Sequence, residues 1–303
     1  MKCLICITGP TAVGKTALSL RLARSYRTEI LSGDSRQMYR YMDIGTAKPS
    51  LEERAEIPHH FINCLNPDEG YSAGQFEREA DQLIQTLFKK HDVLLVTGGS
   101  TLYMNALWNG FNDMPDIPPE IRDQLTHEWQ NKGLSPLLEE LNTVDPQTYQ
   151  QIDRQNPARI IRALEVFRAS GKPISAFRTG RPPKQCAYQL LKIGLMDERE
   201  VLYHRINQRV LAMLEAGLEE ECRQLLTLGY SPDMRALQAI GYGEIYQYFA
   251  GETTKAEAIS LIQRNSRRYA KRQLTYYRKF PDIHWFQAGD WEAVDSWIQE
   301  SLL

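Results

Sequence analysis

The chain has 303 residues, 42% of them hydrophobic and 24% charged, with a formal net charge of -2. This is the composition of an ordinary globular protein, long enough for one large or two modest domains with ample core. A globally basic nucleic-acid binder is excluded, so any such surface must be local, and no apolar run approaches a secretory signal or a membrane span.

Residues 2–8, around "CLICI", read as a buried strand. Cys3 and Cys6 form a C-x-x-C inside it, but no second ligand pair stands at a zinc spacing, so both read as small apolar strand residues. With Cys64, Cys186 and Cys222 they make an odd, dispersed set that suits a reducing, cytoplasmic setting.

"GPTAVGKT" follows the strand, and Gly9, Gly14, Lys15 and Thr16 fit G-x-x-x-x-G-K-[ST]. The residues Gly9, Pro10, Thr11, Ala12, Val13, Gly14, Lys15 and Thr16 are therefore predicted to bind phosphate. Backbone N–H groups curl round phosphate oxygens, and the helix predicted from Lys15 to Ser25 adds its N-terminal potential. Lys15 supplies a full charge, and the Thr16 hydroxyl is a candidate Mg²⁺ ligand.

"EILSGDSRQMY" gives a second strand, Glu29 to Ser32, ending at Gly33-Asp34. Asp34 has two readings. It can be a general base, with Ser35, Arg36 and Gln37 beside it to read a planar base edge. Alternatively it is a helix N-cap, since Asp followed three residues later by Gln nears the capping-box pattern. His59 and His60 are adjacent and point in different directions, with no acidic or cysteine partner close in sequence, so a structural role is expected.

"FEREADQLIQTLFKKH" has helical spacing, and "DVLLVTGGS" is an apolar strand running into Gly98-Gly99. Strands alternating with helices imply a parallel sheet covered on both faces, with ligands at the carboxyl ends of its strands. The phosphate-binding loop, Asp34 and the Gly98-Gly99 turn should converge there. The strand ending Val96-Thr97-Gly98-Gly99 lacks the acid that positions metal in many nucleoside triphosphatases. Which phosphates the loop holds stays open on this ground.

The prolines and acids of "NDMPDIPPE" (112–120) mark a linker. Helices are predicted over 120–132, 134–142, 146–152 and 157–170, followed by the Pro/Arg-rich "GKPISAFRTGRPPKQ". A strand at 188–196 resumes the sheet, helices dominate to Lys279, and "IHWF" adds a last strand. The fold class is α/β: a P-loop parallel-sheet core (1–112 and 189–303) with a helical insertion domain (113–188).

"LYHRINQRVLAMLEAGLEEE" (202–221) reads as one amphipathic helix with Arg205 and Arg209 at i, i+4. These arginines are either surface charges paired with glutamates, or one points back at the phosphates. "QRNSRRYAKRQLTYYRKF" (263–280) contains no acid and places Arg264, Arg268 and Arg272 on one helix face, with Tyr269, Tyr276 and Tyr277 among them. Such a face suits a nucleic-acid backbone with rings for stacking. "RQNPARIIRALEVFRASGK" is a second basic segment, with Arg159 and Arg162 near a helix start and Ile160, Leu164 and Phe167 packing beneath. "RTGRPPK" extends it.

Taken in order, "GPTAVGKT", "GDSRQMYRYMDIGTAKPS", "IPHHFIN", "VTGGSTLYMNAL", "NPARIIRALEV", "GLEEE", "AIGYGE" and "AKRQLTYYR" resemble the tRNA dimethylallyltransferase (tRNA isopentenyltransferase) family over nearly the whole chain. The stretch "DSRQMY…MDIGTAKP" is far more specific than the phosphate loop. No zinc finger is found at the C-terminal side, so the resemblance is to the bacterial type. It implies transfer of a dimethylallyl group from its diphosphate to the exocyclic amine of the adenosine 3′ to the anticodon. The loop would then hold a prenyl diphosphate with Mg²⁺. Asp34 would be the base, with Thr11 and the arginine matching Arg209 helping to hold the leaving group. The resemblance also implies tRNA contacts at Asp34, Ser35, Arg36, Gln37, Thr101, Arg122 and the segment Arg159, Ile160, Ile161, Arg162 and Ala163, alongside the basic face of Arg268 and Arg272. A monomer acting on the tRNA anticodon stem-loop, with no membrane partner, is expected.

Three rivals remain at the level of residues. Shikimate-kinase-like enzymes share the loop, the strand-end Asp and the "TGG" end, but have no use for 113–188 or the basic helix. An adenylate isopentenyltransferase acting on free AMP would not need residues 263–280. A nucleic-acid-binding NTPase would show motor or sensor motifs, which are absent.

Overall fold

The computed structural model describes residues 2–110, 114–178 and 184–302. The chain divides into two compact units, Met1–Trp108 with Gln185–Leu303, and Asn109–Lys184. The predicted boundary at 112 and 113 and most of "RTGRPPK" lie outside the described residues.

The first unit is a six-stranded, all-parallel sheet of β1 (Cys3–Thr8), β2 (Ile30–Ser32), β3 (His59–His60), β4 (Val93–Thr97), β5 (Gln189–Met196) and β6 (His284–Gln287). Its order is β3-β2-β4-β1-β5-β6. Every residue of β1 is buried, as "CLICIT" requires of a central strand in a sheet covered on both faces. Burial pushes the Cys3 thiol up to about 11 and the Cys6 thiol up to about 12, so both act as apolar core groups.

The helices interleaved with the first four strands are α1 (Lys15–Tyr26), α2 (Leu51–Glu56), α3 (Ala73–Leu87) and α4 (Thr101–Asn109). In α2, Ser50 and Glu53 form a reciprocal capping box, which starts the helix just after Pro49. The second unit holds α5 (Pro119–Lys132), α6 (Ser135–Val144), α7 (Pro146–Gln151), α8 (Pro157–Ser170) and α9 (Ile174–Phe177). Proline at the first turn of α5, α6, α7 and α8 explains why four sequence-predicted helices begin where they do. Their apolar faces, among them Leu125, Leu137, Leu141, Ile160, Leu164 and Ile174, make a separate core.

The chain then returns to the first unit for α10 (Arg199–Glu215), α11 (Leu218–Thr227), α12 (Tyr242–Phe249), α13 (Lys255–Tyr277) and α14 (Trp291–Leu302). Two expectations are corrected. The single helix at 202–221 is two helices, because Gly217 at φ 101° ends one and begins the next. His59 and His60, for which a structural or hydrogen-bonding role without a close acidic partner is expected, form the edge strand β3, and His60 does have such a partner in Glu29. Its carboxylate lies 2.6 Å from His60 Nε2 and 3.2 Å from His91 Nε2.

No helix of the described residues is long and apolar enough to cross a membrane.

Candidate active site

β2, β4 and β1 are neighbours in the sheet, so their carboxyl ends deliver three loops to one place. The first is the phosphate-binding loop. Gly9 has φ 141°, and a Cβ there would stand 2.5 Å from the Leu195 carbonyl oxygen, so only glycine lets β1 turn into the loop beside β5. Lys15 Nζ folds over the loop and donates to the Gly9 and Pro10 carbonyls at 3.1 and 2.8 Å. Burial, reinforced by Arg209, lowers its pKa to about 7, and Asp34 opposes the shift. Thr16 is exposed on the first turn of α1.

The second loop carries Asp34. Arg36 N–H donates to Asp34 Oδ1 at 2.9 Å, a local turn, and no helix follows. The N-cap alternative for Asp34 therefore fails, and Gln37 does not complete a capping box. Instead the Gln37 side chain accepts from Ser32 Oγ at 2.9 Å and donates to the Ala47 carbonyl at 3.1 Å. Arg36 Nη1 donates to the Arg235 carbonyl at 2.8 Å. Ser35 N–H donates to Ser100 Oγ at 2.8 Å. The third loop is the Gly98-Gly99 turn, tied on by Gly33 N–H donating to the Thr97 carbonyl at 2.8 Å. Thr101 opens α4 immediately after it and is half-buried.

α10 completes the group. Arg209 Nη1 donates to Thr11 Oγ1 at 3.2 Å, and burial pulls its guanidinium pKa down against the opposing charge of Asp34. Arg205 instead pairs with Asp197 at 2.7 Å, so the choice between the two arginines falls to Arg209. Arg209 also lines a cavity of about 460 Å³ with Ile44, Ala47, Met213 and Ala216. The site thus holds two buried or half-buried cations and one carboxylate, a surplus of positive charge that an anionic ligand would satisfy.

A family model described as IPP transferase matches residues 37–280. The chain is 44% identical over 301 residues to a tRNA dimethylallyltransferase of Cytophaga hutchinsonii, covering 99% of this chain and 98% of that protein. It is 45% identical over 284 residues to tRNA dimethylallyltransferase 2 of Geotalea uraniireducens, covering 94% and 92%. The chain belongs to the IPP transferase family. Among solved structures, the full-length tRNA isopentenylpyrophosphate transferase of Bacillus halodurans is similar with a TM-score of 0.73 and 38% identity, covering 100% of this chain and 97% of that one. A eukaryotic dimethylallyltransferase crystallised acting on tRNA is similar with a TM-score of 0.79 and 28% identity, covering 96% and 75%. The known activity of this family is transfer of a dimethylallyl group to tRNA.

Within this IPP transferase, the residues predicted to touch nucleic acid are spread over both units. On α13, Arg264, Arg268 and Arg272 are all exposed, whereas Ala258, Ile262, Ala270, Gln273 and Tyr277 face inward. Arg267 belongs to neither set: it is half-buried and hydrogen-bonded to Asn207 Oδ1 at 2.5 Å. In the second unit Arg159 is exposed, but Ile160, Ile161 and Ala163 are buried in the helical core. Their exposures of 0%, 6% and 1% count the backbone as well as the side chain. Arg122 and Arg162 converge on the buried Glu165, at 3.3 and 2.6 Å, so their charges are partly spoken for.

Sequence reasoning missed two residues. Glu221, present in the sequence reading only within the matched stretch "GLEEE", is buried and accepts from the backbone N–H groups of Asp43, Ile44 and Gly45 and from the Tyr242 hydroxyl. Gln273 is buried on the inner face of α13, where it bonds to Thr11 and Gly99. A polar residue on the apolar stripe of α13 was the available signal, and the charge of its neighbours masked it.

Proposed function

We propose that this chain transfers a dimethylallyl group from dimethylallyl diphosphate to the exocyclic amine of the adenosine 3′-adjacent to the anticodon in tRNA, releasing diphosphate. The observation that carries this reading is the Thr11–Arg209 contact beside Lys15 and within electrostatic reach of Asp34. It sets a leaving-group cradle against a carboxylate in one site.

The loop amides, Lys15, Thr11 and Arg209 hold the diphosphate and stabilise the charge it gains as the allylic C–O bond breaks. An adenine amine is a poor nucleophile because its lone pair is delocalised into the ring. Asp34 accepts the amine proton as the N–C bond forms, which lowers the cost of attack. The adenosine leaves its stack to reach the strand ends, and Arg268 and Arg272 hold the phosphate backbone of the anticodon stem-loop. Arg159 serves the same role on the insertion. The similar structure crystallised acting on tRNA supports this choice of substrate.

Mg²⁺ fits the donor set here. The described residues contain no cluster of three His, Cys, Asp or Glu side chains. Mg²⁺ is characteristically held by few protein ligands plus water and substrate phosphates, and the exposed Thr16 hydroxyl would supply one. When bound, it would neutralise charge on the departing diphosphate.

All the reacting groups belong to one unit of one chain, which supports action as a monomer. Five free cysteines suit the reducing cytoplasm.

The test is incubation with unmodified tRNA and either labelled dimethylallyl diphosphate or labelled ATP. Prenyl label appearing in tRNA supports the reading. Label moving only from ATP, to a small acceptor, points to a kinase instead.

A further inference from the structure

Gln273 is 1% exposed and sits on the inner face of α13, beside Ala270 and Tyr277. A buried primary amide needs partners for its carbonyl and its NH₂ group. Here both partners come from loops of the candidate active site. Thr11 N–H donates to Gln273 Oε1 at 2.9 Å, and Gln273 Nε2 donates to the Gly99 carbonyl at 2.8 Å. One side chain therefore spans the gap between the phosphate-binding loop and the turn at the end of β4.

Asp34 also lies beside that turn. A Cβ built on Gly99 would lie 2.5 Å from Gln273 Nε2 and 3.7 Å from Asp34 Oδ2. The amide and the carboxylate therefore flank the space that a side chain at position 99 would enter. Tyr269 also donates to the Gly99 carbonyl, at 3.2 Å, so the turn keeps one tether of its own. Thr11, by contrast, is fixed at its N–H by Gln273 and at its hydroxyl by Arg209.

Resting on the proposed transfer reaction, we propose that Gln273 is a positioning residue that sets the spacing between the diphosphate cradle and the Asp34 carboxylate. It touches neither substrate. Its amide withdraws the Thr11 N–H from the phosphates and fixes Thr11 Oγ1 and Arg209 where the leaving oxygen must be met. Displacement requires the leaving group, the allylic carbon and the attacking amine to stand in one line, so a shift of the cradle relative to the base slows the step without weakening capture of either substrate.

The experiment compares the wild type with Gln273→Met, which removes both hydrogen bonds at similar length, and Gln273→Glu, which keeps an acceptor for Thr11 N–H and loses the donor to Gly99. Single-turnover transfer, the KM for dimethylallyl diphosphate and the Kd for tRNA are measured on folded protein. The expected result is a transfer rate lowered by about 10- to 100-fold in Gln273→Met, with donor KM and tRNA Kd close to wild type. Gln273→Glu, cut at one end only, should also lose rate at unchanged tRNA Kd. Wild-type rates in both variants overturn the proposal. So does a loss that appears in KM or Kd alone, and so does failure of both variants to fold, since each makes Gln273 something other than a spacer. A wild type that transfers no dimethylallyl group defeats the functional reading, whereas an active wild type beside unaffected variants defeats only the role of Gln273.

Discussion

Arg209 on α10 donates from Nη1 to the Thr11 hydroxyl at 3.2 Å, joining residues 198 positions apart in the chain. The contact gives the phosphate-binding loop a second cation beside Lys15, on the threonine at the loop's crest. Removing that cation should leave the loop folded but weaken its hold on charge that develops during reaction. Arg209→Ala is expected to lower kcat by about 10²- to 10³-fold, measured as single-turnover transfer at saturating donor. A variant within twofold of wild type would remove Arg209 from the leaving-group cradle.

Asp34 is the acid whose charge is felt by both Lys15 and Arg209. Asp34→Ala should keep tRNA affinity and lose transfer by about 10²- to 10⁴-fold, the usual worth of a positioned base. Filter binding and prenyl transfer on one preparation separate the two, and near-normal turnover would take proton removal away from Asp34.

How much of this is legible in the sequence follows from which interactions are local. The loop, the strand ends and the helices of the insertion each depend on residues within a few positions of one another, such as Gly9 with Lys15 or Asn156 with Pro157. Their sequence-predicted bounds lie within a few residues of where they fold. The break at Gly217 escapes the pattern because one glycine in a long amphipathic stretch is often tolerated, and here its left-handed φ decides. Choosing Arg209 over Arg205 is beyond the sequence because both lie on one helical face, and the pattern does not show that Arg205 is taken up by Asp197 in the β5–α10 connection. Gln273 and Glu221 act through backbone groups of remote loops, which side-chain patterns do not register.

The outward-facing arginines of α13 should act on affinity alone. Replacing Arg268 and Arg272 with glutamine is expected to weaken tRNA binding and to flatten the slope of log K against log salt by about 2, one for each phosphate no longer neutralised. Transfer at saturating tRNA should be little changed. An unchanged slope would contradict the assignment of this face.

Lys15 gives the site a pH signature. In the free protein its ammonium titrates near 7, and a bound diphosphate would raise that value by supplying countercharge. Binding above pH 7 should then take up a proton, so diphosphate affinity is full below pH 7 and falls above it by up to about tenfold per pH unit. The sign for folding is opposite. The unfolded value of 10.5 exceeds the folded one, so the cost of the buried ammonium is fully present below pH 7 and is relieved as pH rises toward 10.5. Calorimetry of pyrophosphate binding at pH 8 in buffers of unlike ionisation enthalpy reads the uptake directly, and zero uptake would contradict it.

Glu221 is expected to matter for stability before activity. Its carboxylate accepts from three successive backbone N–H groups at 2.7 to 3.0 Å and from Tyr242 at 2.6 Å. Glu221→Ala strands four donors in a buried setting and should cost about 3 kcal/mol or more, read from urea unfolding. A cost below about 1 kcal/mol would show that the 42–48 loop is held by other interactions.

The central claim is that this loop grips the diphosphate of an allylic donor while Asp34 draws a proton from an extruded adenine. Its most direct measurement is to incubate wild type and Asp34→Ala with dimethylallyl diphosphate and an unmodified tRNA, then digest the tRNA and locate the prenyl group. The account predicts the group on the exocyclic amine of the adenosine 3′ to the anticodon, with one diphosphate released per transfer, for the wild type only. Untouched tRNA with the wild type, or equal modification by both proteins, would contradict it.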